Sequence, residues 1–272
     1  MSLTIRPRLA QRTAAIAIAI VAASTLTLLG TGVAQAAAVD YVAVGDSYAS
    51  GVGTRTYISS SGSCMRSTYA YPYIDAVRIG ANLSFTACSG ARVADVQNNQ
   101  LGPVNSGTEL VTVQVGGNDA GFSSVITECA KPSWLSNCNG AIDNAQAIIN
   151  NTLPGRLDGL YNTIRSRAAN ARVTVVGYPR LFNGIDCNAA TFFSSAEMTR
   201  LNQTADLLNS RISARAGAHG FGFVNPTNAF IGHAVCGNPE WINGLSNPIT
   251  ESYHPNRTGQ VGYANLVDDF LT

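Results

Sequence analysis

The chain is poor in basic residues of one kind and in histidine. It has one lysine, Lys131, and three histidines among 272 residues, and only 12% of its residues are charged. A basic footprint for nucleic acid or anionic membranes is therefore missing. No C-x-x-C pair occurs and no histidine stands at ligand spacing from a cysteine pair, which excludes the common zinc patterns. No G-x-S-x-G occurs either, so the strand–turn–helix nucleophile elbow of the α/β-hydrolases is absent. No internal repeat, low-complexity linker or shift in composition marks a second domain. Beyond the first forty or so residues, no apolar run approaches the length that crosses a bilayer.

What is present begins with an export signal. Arg6, Arg8 and Arg12 precede Thr13 to Leu29, an apolar stretch without a charge, and Ala34-Gln35-Ala36 supplies the small-x-small pattern of a cleavage site. Residues 1–36 are read as a leader removed somewhere within Ala34–Ala38, with the general export route favoured because no adjacent arginine pair precedes the stretch. The remaining 236 residues are enough for one domain, 37–272, and carry 14 basic and 16 acidic side chains, a net charge of −2. The expected location is extracellular. All six cysteines (Cys64, Cys88, Cys129, Cys138, Cys187 and Cys236) fall in this part, and an even number in an exported chain implies disulfides. Nearest-neighbour pairing, 64–88, 129–138 and 187–236, is the expectation.

Five short apolar runs read as strands: Val39–Val44, Leu83–Ala87, Leu110–Val115, Arg172–Val176 and Phe221–Val224. Between them lie stretches with helical spacing. Ile142, Ala145, Ile148, Ile149 and Leu153 form one stripe, interrupted at Pro154 and resumed by Leu157, Leu160, Tyr161 and Ile164. Met198, Leu201, Ala205, Leu208 and Ile212 form another. Strands alternating with helices predict an α/β fold, a parallel sheet covered on both faces.

Three of these strands end in residues with chemical potential. Val42-Ala43-Val44-Gly45-Asp46-Ser47 puts a serine where the first strand breaks, and in an open α/β sheet the carboxyl ends of strands border the ligand crevice. Cys88-Ser89-Gly90-Ala91 and Val115-Gly116-Gly117-Asn118-Asp119 end two others, offering an unobstructed backbone N–H and a side-chain amide. A serine nucleophile also needs a base. His219 sits in a turn after a helix and suits solvent, and His233 lies near Cys236 and suits a structural role. His254, in Ser252-Tyr253-His254-Pro255-Asn256, is held extended by the proline and precedes a final helix starting near Asn256. Sequence distance alone does not choose among the three.

Gly45-Asp46-Ser47, Gly90, Gly116-Gly117-Asn118-Asp119 and His254 resemble, in order, the four blocks of the SGNH (GDSL) hydrolases. The similarity is greatest to the secreted actinomycete lipases, esterases and phospholipases A1, and it extends over residues 39–272 with the six cysteines. The resemblance implies a three-layer α/β/α sandwich on a central, mostly parallel five-stranded sheet. It also implies a serine esterase acting on lipids, with Ser47 as nucleophile, His254 as general base, and Ser47, Gly90 and Asn118 as the oxyanion hole. Relatives often carry aspartate three residues before the histidine. Here that residue is Glu251, so a backbone carbonyl of Glu251 or Ser252 is favoured over the Glu251 carboxylate for orienting His254. Asp46 and Asp119 are read as structural, and Phe192 and Phe193 as core rather than pocket. No metal or organic cofactor is implied. The expected partner is a small-molecule or lipid ester met by a monomer in transient contact with lipid at most, with no nucleic acid. The other readings are a carbohydrate acetyl esterase and a non-catalytic secreted binding domain on the same fold.

Overall fold

A computed structural model of the chain describes residues 1–2 and 38–272, and the expected leader lies outside the described residues. The strands are β1 (Asp40–Gly45), β2 (Asn82–Phe85), β3 (Leu110–Gln114), β4 (Arg172–Val176) and β5 (Gly222–Val224). All of the pairings are parallel, in the order β2-β1-β3-β4-β5. The sheet is thus wholly parallel, not merely mostly so. Its central strand β3 is buried along its whole length, as expected where helices cover both faces.

The helices are α1 (Ser47–Ser50), α2 (Tyr71–Ile79), α3 (Val93–Asp95), α4 (Phe122–Cys129), α5 (Cys138–Asn151), α6 (Leu153–Arg167), α7 (Ser195–Ala218) and α8 (Arg257–Leu271). Crossovers between parallel strands are right-handed, so the step outward from β1 to β2 and the steps the other way from β3 to β5 put their helices on opposite faces. On one face α2 packs against α8, which also covers β4 and β5. On the other, α5, α6 and α7 pack together and α7 covers β4 and β5. Leu153 and Pro154 open α6 directly after α5. A proline in the first turn gives up no intrahelical bond there, so the apolar stripe carries on in a second helix instead of ending.

The strand order reverses between β1 and β3, and such a switch point opens a crevice outside the carboxyl ends of the strands. The end of β1 is drawn close to β3, with Asp46 N–H donating to the Gln114 carbonyl at 2.9 Å. Gly45 is required there: its φ is +150°, and a Cβ would stand 2.4 Å from the Gln114 oxygen. The buried Gln100 side chain clasps Gly45 from the other side, accepting from its N–H at 2.7 Å and donating to its carbonyl at 2.9 Å.

The cysteines pair as expected: Cys64–Cys88, Cys129–Cys138 and Cys187–Cys236. The first bond ties down the loop after β2, where Cys88 N–H donates to Gly45 and Ser89 N–H to Cys64. This holds Gly90 beside the end of β1.

Candidate active site

Ser47 is the first residue of α1, and Asp46 caps that helix by accepting from Tyr48 N–H at 3.0 Å. The other Asp46 oxygen accepts from the Tyr178 hydroxyl at 2.6 Å, and that hydroxyl accepts from Gly117 N–H at 3.4 Å. One tyrosine following β4 therefore joins the loops after β1 and β3. Burial pushes the Asp46 carboxyl up to about 7, against the Tyr178 and Tyr48 bonds that favour its charged form. Asp119 anchors its own loop in the same manner, accepting from Val93 N–H at 2.9 Å and from Arg156 at 2.8 Å.

Ser47 Oγ lies 2.8 Å from His254 Nε2, and His254 Nδ1 lies 2.8 Å from the Ser252 carbonyl. A carbonyl only accepts, so Nδ1 carries the proton and Nε2 turns its lone pair to the serine hydroxyl. The imidazole is buried beside the rings of Tyr48 and Phe122, with centroids 5.2 and 6.2 Å away. Burial lowers its pKa to about 4, partly offset by the bond to Ser252.

The histidine segment is fastened at several points. Asn243 accepts from Tyr253 N–H and donates through its own N–H to the His254 carbonyl, both at 2.9 Å. Tyr253 takes a left-handed φ of +59° between the two bonded residues, and its carbonyl accepts from the Tyr48 hydroxyl at 2.7 Å. Gly53 lets this segment come close to the chain after α1, since a Cβ there would meet the Pro255 oxygen at 2.6 Å and His254 Cβ at 3.0 Å.

The Glu251 carboxylate turns away from His254. It is 2% exposed, accepts from the Tyr57 hydroxyl at 2.6 Å and lies 3.4 Å from Arg55. Asn118 donates through Nδ2 to the Ala91 carbonyl at 3.0 Å, which fixes the side-chain amide and leaves its second N–H. Gly90 has φ +78°, and among the described residues its N–H has no protein acceptor. Ser47 and Asn118 border one cleft, while Gly90 and Ala91 border a separate groove.

That cleft runs between α4, α5 and α7. Phe122, Val125, Ile126, Ala145, Ile149, Leu201 and Leu208 wall it, with Asp46, Ser47 and Asn118 at its polar end. Phe193 is core, packed on Phe182 and Tyr253, and Phe192 is exposed, so neither lines the cleft. The remaining histidines stand elsewhere. His233 stacks on Trp241 and bonds the Pro239 carbonyl, a structural role. His219 departs from expectation: it is not solvent-exposed but half-buried, with Nε2 2.9 Å from Asp158 and its ring against Tyr161. A partner 61 residues away gives no local signal in the sequence. Among the described residues, no group of three or more histidine, cysteine, aspartate or glutamate side chains is placed to hold a metal ion.

Comparison with known proteins bears on the family and the fold. A sequence model of the GDSL-like Lipase/Acylhydrolase family matches residues 43–261. Lipase 1 of Streptomyces coelicolor is 46% identical over 250 residues, covering 89% of this chain and 92% of that one. The crystal structure of an extracellular lipase from Streptomyces rimosus superposes with a TM-score of 0.80 at 44% identity, covering 86% of this chain and 100% of that one. A phospholipase A1 from Streptomyces albidoflavus NA297 does so with a TM-score of 0.82 at 43% identity and the same coverage. With the serine, glycine, asparagine and histidine blocks in order on a parallel α/β/α sheet, the chain belongs to the GDSL-like lipase/acylhydrolase family.

Proposed function

We propose that this protein is an exported serine hydrolase of carboxylic esters that acts on lipids, of lipase or phospholipase A1 type. The observation that carries the reading is the chain from Ser47 Oγ to His254 to the Ser252 carbonyl, opening onto a long apolar cleft. In this mechanism Ser47 attacks the ester carbonyl while His254 Nε2 takes its proton. The Ser47 and Gly90 N–H groups and the Asn118 amide bind the oxyanion as it forms. Collapse of the tetrahedral intermediate expels the alcohol, which receives the proton from His254. Water then attacks the acyl-serine with the same base, releasing the fatty acid and restoring Ser47. The Ser252 carbonyl is the orienting group that keeps the proton on Nδ1, and the Glu251 carboxylate serves the loop instead.

The cleft favours a lipid over an acetylated carbohydrate. An acetyl group would leave most of the apolar side chains of α4, α5 and α7 that wall the cleft without contacts, whereas an alkyl chain gains about 0.8 kcal/mol for each methylene buried. The protein is proposed to act outside the cell as a monomer, as the domain 37–272 left when the leader is cut within Ala34–Ala38, and without metal or cofactor.

The test is a panel of p-nitrophenyl esters of increasing chain length, run beside phosphatidylcholine, triolein and acetylated xylan, with Ser47→Ala as control. Rising kcat/KM with chain length, together with loss of turnover in the variant, is expected. Wild-type turnover by Ser47→Ala would overturn the mechanism, and a preference for acetylated xylan would overturn the substrate class.

A further inference from the structure

We propose that the loop joining α4 to α5, with Trp134 at its turn, is the element by which the protein settles on a zwitterionic lipid surface. The proposal rests on the lipid-ester reading above. It starts from an unusual exposure: Trp134 is 79% exposed and its neighbour Leu135 58%, although tryptophan brings more apolar area than any other side chain. The loop is held in this form at both ends. The Cys129–Cys138 bond closes it, Ser136 Oγ donates to the Glu128 carbonyl at 2.9 Å, and Asn137 N–H donates to the Glu128 carboxylate at 2.7 Å. Leu135 N–H donates to the Pro132 carbonyl at 2.8 Å, making the turn that holds Trp134. These bonds fix the backbone of the turn on which Trp134 stands exposed.

Its place in the fold supplies the occupant. The acyl cleft is walled by α4, α5 and α7. The loop caps the carboxyl end of α4 and the amino end of α5, and Phe192, just before α7, donates its N–H to Ala130 at 3.2 Å. Phe192 is itself 54% exposed. The carboxyl end of α4 and the amino ends of α5 and α7 thus meet at one apolar rim carrying Trp134, Leu135 and Phe192. The charge pattern selects the surface. Lys131, the only lysine in the chain, is paired with Glu128, and the domain as a whole is net acidic, so anionic headgroups gain nothing here. A tryptophan with an aliphatic neighbour suits the boundary between headgroup and acyl chain, one end apolar and the other wet.

The experiment uses the mature protein and unilamellar vesicles of phosphatidylcholine, with a second set containing brominated phosphatidylcholine to quench tryptophan that enters the bilayer. Trp241, half-buried and stacked on His233, serves as the unquenched internal reference. Quenching of wild-type emission is expected. The double variant Trp134→Ser/Leu135→Ser should partition roughly 10- to 100-fold more weakly and lose a similar factor in vesicle hydrolysis. It should keep kcat/KM on soluble p-nitrophenyl acetate within about twofold, since neither residue lines the cleft. The proposal is overturned if brominated lipid does not quench, or if the variant hydrolyses vesicles like wild type. Binding that needs phosphatidylglycerol and vanishes with added salt overturns it as well, as does sedimentation showing a wild-type dimer that the variant abolishes. Quenching without turnover of any ester would instead defeat the esterase reading and leave the docking surface standing.

Discussion

Glu251→Gln separates two ways of holding the His254 imidazole proposed as general base. The Glu251 carboxylate is 2% exposed, yet neither oxygen bonds His254: one accepts from Tyr57, and the other lies near Arg55 without a hydrogen bond. Were the carboxylate the third member of a triad, neutralising it would cost roughly 10⁴ in kcat. With the Ser252 carbonyl in that role, glutamine keeps an acceptor for Tyr57 and gives up only the charge. A hydrogen bond to a charged group contributes about 1.5–3 kcal/mol and a neutral one about 1. The ion pair adds little, because the Arg55 side chain is 55% exposed and water screens it. The expected loss is therefore about 1–2 kcal/mol of stability, felt as a Tm lower by a few degrees. Catalysis should suffer only through a slightly looser histidine segment, less than about tenfold in kcat/KM. The assay is kcat/KM on soluble p-nitrophenyl butyrate across pH, with Tm followed by circular dichroism. The acid limb should not move, since no carboxylate bonds the imidazole. A loss of several hundred-fold in a variant with wild-type near-ultraviolet dichroism would refute the carbonyl assignment.

Other perturbations test neighbouring parts of the site and the fold. Burial lowers His254 from 6.5 to about 4, and only the neutral ring can act as base, so kcat/KM on a soluble ester should stay level through mildly acid pH and fall with a midpoint near 4; a midpoint near 6.5 would show that the ring is not desolvated. Asn118→Ala removes a proposed oxyanion donor and should lower kcat by roughly 100- to 1000-fold with KM little changed, whereas a loss below about tenfold would remove Asn118 from the mechanism. Asp75 on α2 is fully buried, with Asp268 of α8 beside it and Arg78 3.9 Å away, and burial first and then Asp268 raise its pKa from 3.8 to about 9 against the pull of Arg78. The folded protein then binds a proton that the unfolded chain releases, and the stability this contributes is lost as pH rises from about 4 through about 9. Asp75→Asn cannot titrate, so its Tm relative to wild type should climb between pH 5 and about 9, and a constant difference would rule out the protonated carboxyl.

The sheet was legible chiefly through its central strands β1, β3 and β4. Val111, Val113, Val173 and Val175 are all buried with their neighbours, so the letters form unbroken β-branched runs bounded by glycine or polar turns. The largest error at a strand end was Leu83–Ala87 against the observed Asn82–Phe85, on an edge strand where half-buried residues blur the boundary. Strand order was not legible from the runs themselves. It follows from which crossover goes which way, and that decides where the switch point and the crevice fall.

Within the site, legibility divides by where the chemistry resides. Ser47, His254, Asn118 and the flanking glycines hold their proposed roles through side chains or backbone shapes that only certain letters permit, so motif and spacing expose them. The Ser252 carbonyl could be reached only by noticing that Glu251 stands where aspartate is usual, because a backbone oxygen is present at every residue. The cleft walls were hidden for a different reason. Ile142, Ala145 and Ile149 share one helical stripe, yet Ile142 is core while Ala145 and Ile149 border the cleft. In the same way Leu201, Ala205 and Leu208 border it between the core residues Met198 and Ile212. A face turned to a lipid chain and a face turned to another helix have the same period and the same polarity. Tyr178 and Gln100, which hold the strand ends in place, gave no signal either, since each works through a contact distant in sequence. An apolar pocket for an apolar substrate is thus written in the same letters as the core, and only the polar end, where Ser47 meets His254, distinguishes it.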